Sequence, residues 1–157
     1  MCKIGFAGDD APRSVFPTVI GLPRNPKVII GNGNRNSYIS DDAQIKRGVL
    51  SIKYPIQHGI VTDWSAMEEI WSYAFRDLNA AARRHPVLMV DYPLNPMLHK
   101  EKMTMTMFET FKTPGLYIAN QSFLSLIACG RPTGIVVVKT LSHVIIFYYF
   151  CRILAMV

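Results

Sequence analysis

Between Val87 and Val138 the chain alternates apolar runs too short to be helices with amphipathic stretches too long to be strands. Val87 to Val90 reads as a strand buried on both faces, because no polar residue interrupts it. Asn95-Pro96 then offers an N-cap and an N1 proline for a helix with Met103, Met107, Phe108 and Phe111 on one side, stopped at Thr113-Pro114. Gly115 to Ala119 is a second buried strand, Gln121 to Cys129 a helix closed by Gly130, and Gly134 to Val138 a further strand. Strands separated by helices of this length predict an α/β layer with parallel pairing.

The first half is less regular. Cys2 to Phe6 and Ser14 to Ile20 read as strands, and "GFAGDDAP" between them as a turn, with two glycines tolerant of positive φ and two aspartates suited to Asx-turns. Val28 to Ile30 leads into "GNGNRNSY", a loop whose GxG lacks the helix that a dinucleotide turn needs. "DDAQIKRGV" predicts a short helix capped by Asp41 or Asp42 and ended at Gly48, and Leu50 to Tyr54 a strand. After Thr62 or Asp63 as N-cap, Trp64, Met67, Ile70, Trp71, Phe75 and Leu78 recur at spacings of three and four and form one apolar helix stripe.

With 157 residues, half of them apolar, the chain suits one globular domain. Its net charge of +6 is scattered among acids, as at Asp41-Asp42 beside Lys46-Arg47, so no basic stripe points to nucleic acid. Cys2, Cys129 and Cys151 form no CxxC pair and read as free thiols of a reducing compartment. His143 has no acid or cysteine at ligand spacing, and no metal site is expected. The N-terminus lacks a charged region followed by an apolar one, the mark of a secretory leader. Val144 to Cys151 is an apolar and aromatic run of eight, far short of the roughly twenty residues a transmembrane helix needs.

The blocks "GFAGDDAPRSVFP", "SYISDDAQIKRGVLSIKYPIQHGIVTDW", "HPVLMVDYPLNP", "EKMTMTMFETFKTPGLYIANQSFLSL" and "CGRPTGIV" follow one another as in the actin family, and the chain resembles it from Met1 to about Val136. Departures include Arg35-Asn36 where actins carry Lys-Asp, and a one-residue deletion near "RDLNAAARRHP". The resemblance implies an incomplete α/β fold of the ribonuclease-H-like, actin and sugar-kinase ATPase type, first half only. Within residues 1–136 it implies a small outer lobe at 17–54 with a flexible loop near 25–36, leaving 137–157 as an apolar tail outside the family pattern.

The site residues follow from the same resemblance. Met1 and Lys3 match positions that touch the nucleotide phosphates, Lys3 the stronger because of its charge, and Gln121 matches the glutamine that orients the attacking water. On its own chemistry Gln121 is a polar residue at a helix start, and Lys3 a surface charge. The family's first phosphate hairpin, "DNGSG", belongs just before Met1. Its second, "DSGDG", belongs where this chain reads "VVKTLSH", with Val138 in the place of the metal-associated aspartate.

The expected function is therefore that of a truncated cytoskeletal actin relative in the cytoplasm, unable to bind or hydrolyse ATP or to polymerise. No cofactor is expected, although ATP and Mg²⁺ serve the family. Actin or actin-binding proteins would be met through the loop at 25–36. Family membership alone suggests instead an ordinary nucleotide-dependent filament subunit, and the net charge alone a basic adaptor fragment.

Overall fold

Pro17 breaks the long strand that the sequence predicts over Ser14 to Ile20, because proline fixes φ and lacks the N–H a ladder needs. The computed structural model describes residues 1–24, 37–92, 94–131, 133–139 and 144–150. These fall into two compact units, one of Met1–Gln57 with Val61–His85, the other of His58–Ile60 with Pro86–Val157.

In the first unit, β1 (Cys2–Ile4) pairs antiparallel with β2 (Ser14–Phe16), Cys2 opposite Phe16. Beyond Pro17 the chain enters a separate antiparallel sheet, in which β3 (Ile20–Pro23) lies between β4 (Tyr38–Ile39) and β5 (Leu50–Lys53). The predicted strand at Val28–Ile30 and the loop at 25–36 lie outside the described residues. The short helix α1 (Asp41–Ile45) takes Ser40 as N-cap and not Asp41 or Asp42; both aspartates sit in its first turn, where the helix dipole favours negative charge. Ala43 of this helix, Val19, Tyr38 and Leu50 form the core, with Ile52 packed against it.

The strands β6 (Ile56–Gln57) and β7 (Ile60–Val61) make a two-stranded sheet, the chain turning at His58 and Gly59, both at positive φ. The helix α2 (Trp64–Asp77) follows the predicted stripe. Asp63 is its N-cap and accepts the Ala66 N–H at 3.1 Å. Met67, Ile70 and Trp71 are buried, joined by Ala66 and Ala74, while Trp64, Phe75 and Leu78 at the stripe's margins are half-buried. Its end is a left-handed cap at Asn79 (φ 51°), with the Ala80 N–H reaching back to the Phe75 carbonyl at 3.0 Å.

In the second unit, β8 (Val87–Asp91) and β9 (Leu116–Asn120) pair in parallel, Val87 opposite Leu116 and Asp91 opposite Asn120. They are the only parallel pair among the described residues; the other registered pairs are antiparallel, and the strands make five small sheets instead of one layer. Parallel pairing needs a crossover, which the link from β8 to β9 supplies with a helix, whereas β1–β2 and β6–β7 are joined by links too short for one. Neither strand is buried on both faces as predicted. Burial alternates along β8, leaving Leu88 58% and Val90 56% exposed, and Tyr117 of β9 is 66% exposed.

The crossover helix α3 (Met97–Met105) runs into a π turn at Thr106–Thr110. Met103 and Met107 are buried as predicted, but Phe108 is 42% exposed and Phe111 half-buried. A π turn holds more residues than an α turn, so the 3.6-residue stripe drifts off the buried side there. The helix α4 (Gln121–Ala128) begins at Asn120, whose side chain accepts the Ser122 N–H at 2.9 Å, and closes at Gly130 (φ +67°) as predicted. It packs on β9 and β10 (Thr133–Lys139), approaching closely at Gly134, where a Cβ would stand 2.7 Å from Leu126 Cδ1. The strand β10 spans the predicted Gly134 to Val138 and runs one residue beyond each end. It pairs antiparallel over seven positions with β11 (Val144–Phe150), so the apolar tail supplies its partner strand. The chain is thus a mixed α/β fold of several small sheets and helices, compatible with an actin-like fold.

Candidate functional site

The opening loop settles into a turn held by its own side chains. The Asp9 N–H donates to the Phe6 carbonyl at 3.3 Å, and Gly8 takes φ +98°. Arg13 Nε donates to Asp9 Oδ2 at 2.7 Å while its guanidinium lies 4.6 Å over the Phe6 ring. The hydrogen bond from Arg13 holds the Asp9 carboxyl below its ordinary range. A loop whose carboxylate is committed in this way is a poor anion cradle, because it places negative charge where phosphate would sit.

Met1 precedes β1 and is 77% exposed, and Lys3 is an exposed residue of β1 opposite Val15. Gln121 belongs to the second unit, as the exposed first residue of α4. Its carbonyl accepts the Ser125 hydroxyl at 3.0 Å, an ordinary helix contact.

The carboxyl end of the β8–β9 pair gathers polar residues that sequence reasoning missed. Ligands of open α/β sheets favour this end of parallel strands. Asp91, 7% exposed, closes β8; its Oδ1 accepts from Asn95 Nδ2 at 2.6 Å and its Oδ2 lies 3.6 Å from Lys100 Nζ. Asn95 therefore does not cap α3 as predicted. Pro96 is the N-cap, and the Asn95 amide is spent on the buried carboxylate. The only sequence signal was an acid ending an apolar run, four residues before an asparagine. Held by the Asn95 hydrogen bond at Oδ1 and by the looser ion pair with Lys100 at Oδ2, which accepts no hydrogen bond, Asp91 ties β8 to α3. Asn95→Ala is expected to cost about 1–3 kcal/mol in urea denaturation, the penalty of removing a partner from a buried charged acceptor; an unchanged midpoint would show that Lys100 alone suffices.

The first unit also bears an open groove of about 580 Å³ between β4, α1 and α2. Asp42, Glu69 and Asp77 line it against one cation, Arg76, with Tyr38 and Tyr73 as aromatic walls. Ser37 donates a hydrogen bond to the Glu69 carboxylate. Neither Met1, Lys3 nor Gln121 belongs to this groove, and its acidic lining repels phosphate.

Among the described residues no group of three or more His, Cys, Asp or Glu could hold a metal ion, and no helix is long and apolar enough to cross a membrane. Val138, the position where the resemblance puts a metal-associated aspartate, continues β10 in register with Ile145. The comparison with protein families agrees with the ordered blocks of the sequence: the family model described as actin matches residues 1–140.

Proposed function

The chain belongs to the actin family, and from that premise we propose that it serves as a non-catalytic cytoskeletal relative, one that neither retains Mg-ATP nor assembles into filaments alone. One observation carries this reading. The strand pair β10–β11 runs through the residues that the resemblance sets against the family's second phosphate turn, and residues 135–157 contain no glycine, aspartate or glutamate. A phosphate turn needs glycines so that successive backbone N–H groups can converge on an anion, and a carboxylate to hold the water shell of Mg²⁺. Valine, lysine and threonine supply neither. Contacts with actin or actin-binding proteins then fall to the loop at 25–36, the part of the outer lobe that the resemblance assigns to subunit contacts.

A second reading, an ordinary nucleotide-dependent filament subunit, draws on Lys3 and Gln121 standing at matched positions. Sedimentation under polymerising salt with Mg-ATP, followed by electron microscopy, separates the two. The purified chain is expected to form no ordered helical filaments. Filaments of actin-like helical symmetry whose yield depends on Mg-ATP would establish the second reading.

A further inference from the structure

We propose that α1 is a sprung lid over the small core of the first unit, held shut against strain at Ser40 and opening ahead of the sheet beneath it. Ser40 joins β4 to α1 at φ 64° and ψ −134°. That conformation is close to the first central position of a type II′ turn, which belongs to glycine. Hydrogen bonds fix it there. The Ser40 N–H donates to the Val19 carbonyl at 3.0 Å, and the Ser40 carbonyl accepts the Ala43 N–H at 3.1 Å and the Gln44 N–H at 3.2 Å. A side-chain-bearing residue persists in such a conformation only where its surroundings over-determine it, and the strain is released when they let go.

The serine side chain gives nothing back for that strain. Serine suits an N-cap because its hydroxyl accepts a backbone N–H of the first turn, yet the Ser40 side chain makes no capping bond. It is 1% exposed, and its Oγ has no hydrogen-bond partner among the described residues. Opening relieves both costs, because the backbone leaves positive φ and the hydroxyl reaches water. Little else fastens the segment. From Asp41 to Val49 only Ala43 is buried, and the five residues of α1 are too few to hold a helix in water by themselves. Ala43 is seated closely, since a Cβ on Gly21 would come within 3.2 Å of its own. Lys46 Nζ, 4.4 Å over the Tyr38 ring, adds a second and weaker attachment. Beneath the lid lie Val19, Tyr38 and Leu50, and β3 pairs with β5 over four positions through backbone bonds of their own. Strain and sparse fastening thus fall on one segment, the combination that sets a local opening below global unfolding in free energy. The lid works whether or not the chain binds nucleotide.

Amide hydrogen exchange on the full chain and on its Ser40→Gly and Ser40→Ala variants tests the proposal. In the unaltered chain the amides of Ser40, Ala43 and Gln44 are expected to exchange, relative to their intrinsic rates, about tenfold or more faster than those of the β3–β5 ladder. Ser40→Gly is expected to slow them about three- to tenfold, the freedom of glycine in the open segment offsetting part of the relief. Ser40→Ala removes the hydroxyl and keeps the strained backbone, so it is expected to slow them by a smaller factor. Amides at 40, 43 and 44 that exchange in step with the ladder show no separate opening and overturn the proposal. A Ser40→Gly chain that exchanges there as fast as the parent, or faster, also overturns it. So does a Ser40→Ala chain that matches Ser40→Gly, because the cost then lies in the buried hydroxyl and not in the backbone.

Discussion

Calorimetric titration of the chain with Mg-ATP is expected to show no binding tighter than about millimolar. A phosphate turn contributes on the order of two backbone N–H bonds to charged oxygens, each worth roughly 1.5–3 kcal/mol, so on the proposed reading, in which β10–β11 stands in its place, about 3–6 kcal/mol is lost. A micromolar complex has only about 8 kcal/mol in all, and at the middle of that range the roughly 3–4 kcal/mol that remains corresponds to millimolar affinity or weaker. On the same reading, Val138 stands where the resemblance puts a metal-associated aspartate, so Mg²⁺ is not expected to make up the loss. Lys3 offers one exposed point charge, and such a charge in water adds about 1 kcal/mol at contact distance. Hydrolysis is accordingly expected to be absent, and Gln121→Ala to change no residual rate. Val138→Asp alone is not expected to restore binding, because the residues after it still lack the glycines that a turn around phosphate requires. A micromolar, magnesium-dependent isotherm for the unaltered chain would overturn the non-catalytic reading and leave the filament-subunit reading in its place.

A large loss of stability in the first unit is expected from Leu50→Ala, at about 2–5 kcal/mol in urea denaturation. Leu50 is fully buried in the cluster with Val19, Tyr38 and Ala43, so its truncation opens a cavity there. Gly21, across the β3–β5 pair, has no side chain to fill it. A Cβ built there would lie 2.8 Å from Leu50 Cδ1, 3.2 Å from the Ala43 Cβ and 3.3 Å from Ile52 Cδ1. Gly21→Ala alone is therefore expected to destabilise by about 1–3 kcal/mol through overpacking. In the Leu50→Ala background the closest of those contacts is gone, and the same substitution should cost far less or partly rescue the fold. Strict additivity of the two changes would show that they do not share a cavity. Ile45→Ala, at a site 79% exposed, is the control and is expected to stay within about 0.5 kcal/mol of the parent.

Features whose causes lie within a few residues were readable from the sequence. The Asp63 cap, the Met67, Ile70 and Trp71 stripe, the Gly130 closure and the turn at Gly5 to Asp10 all depend on hydrogen bonds or sterics spanning four or five positions. Pro17 was equally local, and its effect on the second strand was missed only because the apolar pattern runs straight through it. Asn95 shows the limit. Its position before proline suits an N-cap, yet a buried carboxylate four residues earlier takes its amide, and that burial is a tertiary fact. Of the site residues, Met1, Lys3 and Gln121 came through family resemblance, whereas Asp91 had only its place as an acid ending an apolar run and Lys100 no signal beyond its residue type.

By itself the sequence determined the family, through long blocks in a fixed order, and with it the mixture of helices and strands and the approximate places of the elements from Leu50 to Lys53 and from Trp64 to Lys139. Only the tertiary structure decided which faces are covered and which strands pair. An apolar run such as Val87 to Val90 is compatible with burial on both sides, but burial is conferred by neighbours, and α4 packs on β9 and β10 while Leu88 and Val90 stay open. Likewise "VIIFYYF" reads as a strand wherever it stands. That it completes β10 depends on a hairpin register set across the chain, because backbone groups in a strand, unlike those in a helix, find their hydrogen-bond partners outside their own segment.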